Sequence, residues 1–79
     1  MSIENYGVEA DHVKYTLTNQ EKVILRLIME DNSDKEIAYL LGCAFGTVKK
    51  HVSSILKKMD VSSRTGAAVE AMVDHRWLE

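Results

Sequence analysis

The chain has 79 residues and a net charge of −2, with 46% hydrophobic and 28% charged residues, one cysteine and no proline. That length makes one domain with a thin core, which strong local helix signals or a partner would help to stabilise. The composition excludes a disordered chain, no apolar run approaches a membrane span, and the acidic start "MSIENYGVEAD" lacks a signal-peptide pattern, so the expectation is a soluble, cytoplasmic protein.

Residues 1–16 show no sustained period and are predicted to be an acidic tail or linker, either the stub of a longer linker or an arm that folds back. The domain is predicted to occupy 17–79. At Thr18 the order begins. "TNQE" is a capping box, in which the threonine hydroxyl and the glutamate three residues on each satisfy a free backbone N–H. Val23, Ile24, Leu27 and Ile28 follow at helical spacing, so helix one is placed at Asn19 to Glu30. Ser33 to Glu36 is a second capping box. Ile37, Ala38, Leu40 and Leu41 form the apolar face of helix two, Asp34 to Leu41. Gly42 suits the left-handed conformation that ends a helix.

Helix three starts between Phe45 and Thr47 and reaches about Met59. Val48, Val52, Ile55, Leu56 and Met59 fall on one stripe, with Lys50, Ser53, Ser54 and Lys57 opposite and Lys49 and Lys58 on the flanks. Helix four, capped by Ser62 or Ser63, spans about Arg64 to His75. Ala67, Ala68 and Ala71 cluster on one side of it, and Val69, Met72 and Val73 on another. A helix with two apolar sides has two things to pack against, its own core and a second copy of the chain. No strand alternation, repeat or low-complexity tract appears. The predicted fold class is all-α, four helices with short connections.

The net charge hides an asymmetry. From Gly46 to Arg64 there are five basic residues and one acid, a local charge of +4, so the rest of the chain carries −6. Clustering of charge sets the local potential more than the total does. Two helices around a glycine turn describe a helix-turn-helix, whose second helix lies in the major groove. Small residues Gly46, Ser53 and Ser54 allow close approach, and the lysines reach phosphates or base edges. A solvated lysine face is the plain alternative.

The stretch from Leu17 to about Met72 resembles the LuxR-type (GerE-type) DNA-binding domain of bacterial transcription regulators. The resemblance is carried by Leu17-Thr18, Glu21, Val23, Leu25, Leu27, Ser33, Lys35-Glu36-Ile37-Ala38, Leu40, Thr47-Val48-Lys49, His51, Ile55, Lys58, Val61, Arg64 and Ala67-Ala68. It implies a third helix that reads DNA and a weak homodimer formed mainly through the fourth, on paired half-sites near promoters. It also implies base contacts at Lys49, Lys50, Ser53 and Ser54, and phosphate contacts at Lys35, Thr47 and Lys57. Ala67, Ala68 and Ala71 are the candidate dimer seam, with a solvent face as the alternative. Double-stranded DNA is the expected partner and RNA polymerase a further candidate. Two departures from the family pattern stand out: Ala44 replaces the usual Ser or Thr cap, and Phe45-Gly46 replace a polar pair.

Other residues have plainer readings. Cys43 packs in the core. His51 packs or faces a phosphate. Arg64 ties the start of helix four to an acid or a carbonyl, and Trp77 and Leu78 pack on the bundle or form a partner patch. No acid–base pair, phosphate loop or nucleophile set is present, so no enzyme, cofactor, metal, membrane or small-molecule ligand is expected. The alternatives are a sigma-factor-like promoter-recognition domain, which would lack the fourth helix, and a helix-turn-helix turned protein-interaction module.

Overall fold

A computed structural model describes residues 15–78, so the tail expected over residues 1–16 lies outside the described residues as far as residue 14. Four helices follow in order: α1 (Asn19–Met29), α2 (Asp34–Leu41), α3 (Phe45–Met59) and α4 (Arg64–Val73), with a closing 3-10 turn at His75–Leu78. Helix α1 packs against both α3 and α4, while α2 packs on α3.

Both capping boxes form. The Thr18 hydroxyl accepts from the Glu21 N–H at 3.1 Å while the Thr18 N–H donates to Glu21 Oε1 at 2.9 Å. Ser33 and Glu36 repeat the exchange at 3.1 and 2.7 Å. Gly42 ends α2 with φ at +66°, and Asp60 ends α3 in the same left-handed region at +58°. Ala44 supplies no side-chain cap to α3. Ser63, of the two serines offered, caps α4 by accepting from the Gly66 N–H at 3.0 Å.

Ile24, Leu25, Ile37, Val48 and Ile55 are fully buried, and Met59, Ala67, Ala71 and Trp77 complete the core around them. Burying each large aliphatic side chain contributes about 1.5–3 kcal/mol. Trp77 lies under the bundle, its indole N–H donating to the Ala71 carbonyl at 3.0 Å, whereas Leu78 is exposed. Cys43 and Leu56 pack at the margin of the core, as does Tyr15, which the sequence placed in the tail. Burial first, then the carboxylates of Glu70 and Asp74, push the Tyr15 phenol pKa up.

Three expectations are corrected. Leu40 is 56% exposed, because the short α2 seats only its Ile37, Ala38 and Leu41 side. Helix α4 ends at Val73 and not at His75, because Asp74 turns extended (φ −121°, ψ 110°) and sends the chain into the turn that seats Trp77. The alanine seam is the third. Ala67 and Ala71 are fully buried within one chain and offer no free surface, and Ala68 is partly buried against the same core. They lie where α4 packs against α1. The outward side is the other one, Val69, Met72 and Val73. Among the described residues no helix is long and apolar enough to cross a membrane.

Candidate nucleic-acid interface

Helix α3 is 15 residues long, about 22 Å at the helical rise. Its apolar stripe, Val48, Val52, Ile55 and Met59, is buried against the bundle. The remaining surface exposes Phe45, Gly46, Thr47, Lys49, Lys50, Ser53 and Lys57. Lys35 is exposed at the start of α2. The fold thus brings Lys49, Lys50 and Lys57 of α3, with Ser53, onto one open surface, and no acid of α3 stands among them.

Ser54 is a correction. Its hydroxyl donates to Glu21 Oε2 at 2.7 Å, so the side chain turns toward α1 and away from the surface expected to meet bases. Lys58 turns the same way and donates to Glu21 Oε1 at 2.8 Å. Glu21 is 3% exposed and, with the Thr18 N–H, holds three donors. Burial alone would raise its pKa. The hydrogen bonds from Lys58, Thr18 and Ser54, with the Lys58 charge, outweigh that and lower it from 4.5 to about 2. The sequence showed Glu21 only as a cap. Its second task, anchoring α3 to α1, depends on partners more than thirty residues away, a contact that local spacing does not reveal.

Arg64 behaves as expected. Its guanidinium donates to Asp34 Oδ1 and to the Asn32 carbonyl, tying the start of α4 to the start of α2. His51 is half-buried on the edge of the apolar stripe. Phe45 was not among the expected site residues. It is 45% exposed, and the Lys49 ammonium sits 5.4 Å from its ring centroid.

Helices α2 and α3 with their glycine turn form a helix-turn-helix, the class of module that sets its second helix in the major groove of DNA. Residues 15–71 match the family described as bacterial regulatory proteins, luxR family. The transcriptional regulatory protein LiaR of Bacillus subtilis is 48% identical over 60 residues, 76% of this chain and 28% of LiaR. The response regulator protein VraR of Staphylococcus aureus is 46% identical over 55 residues, 70% of this chain and 26% of VraR. The spore germination protein GerE of Bacillus subtilis is 36% identical over 59 residues, 75% of this chain and 80% of GerE. This chain belongs to the luxR family of bacterial regulatory proteins, a family of DNA-binding regulators and not of enzymes. The match runs to residue 71, inside α4, the helix that a sigma-factor-like domain was expected to lack.

Proposed function

We propose that this protein regulates transcription by sequence-specific binding to double-stranded DNA, with α3 in the major groove. The observation that carries the reading is the open basic surface of α3 set opposite its buried stripe. Lys49 and Lys50 donate to guanine acceptors, and Ser53 donates or accepts at a base edge. Lys35, Thr47 and Lys57 meet phosphates and fix the register of the helix on the duplex.

Two copies bind paired half-sites as a weak homodimer, and the seam is the outward side of α4. Val69, Met72 and Val73 support it, because they are 56%, 61% and 81% exposed on a single helix. Exposed apolar side chains grouped in this way mark association surfaces. A dimer bound beside a promoter in the cytoplasm has RNA polymerase as its neighbour.

The test is fluorescence anisotropy of the chain with a random duplex and with a selected duplex over a salt series. Neutralised phosphates release counterions, so affinity is expected to fall steeply as salt rises. Absence of binding at low salt and high protein concentration would sink the reading and leave the lysines as a solvated face.

A further inference from the structure

We propose that Phe45 and Lys49 act as one reading unit, in which the phenyl ring meets the C5-methyl group of a thymine and steers the Lys49 ammonium toward the acceptors of a neighbouring guanine. The proposal deepens the DNA-binding reading and rests on it.

Phe45 is the first residue of α3. In a helix-turn-helix the N-terminal residues of the second helix are the ones that meet base edges. Phe45 lies outside the core cluster and is 45% exposed, an unusual place for a large aromatic side chain in a thin domain. Gly46 follows it, where a Cβ would meet nothing within 4 Å, so the surface beside the ring is open and carries no side chain at that position. Lys49 comes one turn later on the same side, and its ammonium lies 5.4 Å from the ring centroid. That is within the range of cation–π attraction. The ring thereby narrows the positions open to a side chain that otherwise has four flexible bonds.

The chemistry of the groove selects the base. Among the major-groove edges only thymine presents an apolar group, its methyl, while guanine presents two acceptors side by side. An exposed ring next to a restrained ammonium fits a thymine and a guanine in adjacent base pairs.

The test begins with selection of a preferred duplex by the full 79-residue chain. Each thymine is then replaced in turn by deoxyuridine, which removes the methyl and nothing else. One replacement is expected to weaken binding roughly fourfold, the worth of one buried methyl group, and to have no effect on Phe45→Ala. Phe45→Leu, which keeps an apolar side chain but no ring, is expected to retain the methyl effect and to lose roughly two- to fivefold of the preference for the adjacent guanine. No methyl-sensitive thymine, or one that stays sensitive in Phe45→Ala, would overturn the methyl contact. Unchanged guanine preference in Phe45→Leu would overturn the steering. Failure of the unmodified chain to bind any duplex is a separate result, which removes the DNA-binding reading and this proposal with it.

Discussion

Glu21 is the residue on which the placement of α3 depends. Its carboxylate holds a serine and a lysine of that helix and the N–H that starts α1. Because its folded pKa is about 2 against 4.5, the anion stabilises the fold at any pH above the unfolded value. That contribution is lost as pH falls from about 4.5 toward about 2, and it amounts to roughly 3 kcal/mol. Urea midpoints are therefore expected to drop between neutral pH and about pH 3, and Glu21→Gln should flatten that part of the profile. The surface lysines act differently. Lys50→Ala is expected to weaken the selected site by about 1–3 kcal/mol with a smaller loss on random DNA. Equal losses on both would remove it from base reading. Lys57→Ala should weaken both alike and reduce the salt slope by about one, checked by the same anisotropy series.

At the scale of the elements, the helix starts were legible because each is written locally. Thr18 with Glu21 and Ser33 with Glu36 satisfy their own backbone groups, and Gly42 takes a conformation other residues resist. The basic surface of α3 was legible for a similar reason, since Val48, Val52, Ile55 and Met59 define the opposite side by spacing alone. Ser54 was misread because the angle that turns it outward also brings it within reach of Glu21, and only the packing of α1 shows which partner it finds. The two sides of α4 were confused because periodicity reports apolar sides without saying which is covered. Here the alanines go inside, where α4 packs on α1. The end of α3 nearest the proposed groove lacks a cap, and Ala44 already has cap-like backbone angles (φ −73°, ψ 147°). Ala44→Ser is expected to stabilise the domain by about 1 kcal/mol, which a thermal melt would register as a rise of roughly 4–8 °C.

For the whole molecule, stability and the proposed association draw on the same helix. Ala67 and Ala71 hold α4 to the core with the indole of Trp77 beneath it, while Val69, Met72 and Val73 face out. Substitution on the outward side should spare the fold. Met72→Glu is expected to leave the melting temperature nearly unchanged while lowering the cooperativity of binding to paired half-sites. Analytical ultracentrifugation and binding to single and paired sites would check this. Cooperativity that survives the added charge would place the seam elsewhere.

The Arg64 guanidinium joins the root of α4 to the Asn32 carbonyl and the Asp34 carboxylate. In the proposed pair of chains docked through α4, that brace would turn the distance between the two reading helices into a fixed gauge. Such a pair would measure its target as well as read it, and would accept sites whose half-sites lie one set interval apart. Releasing the brace would leave each half-site readable and make the interval between them elastic.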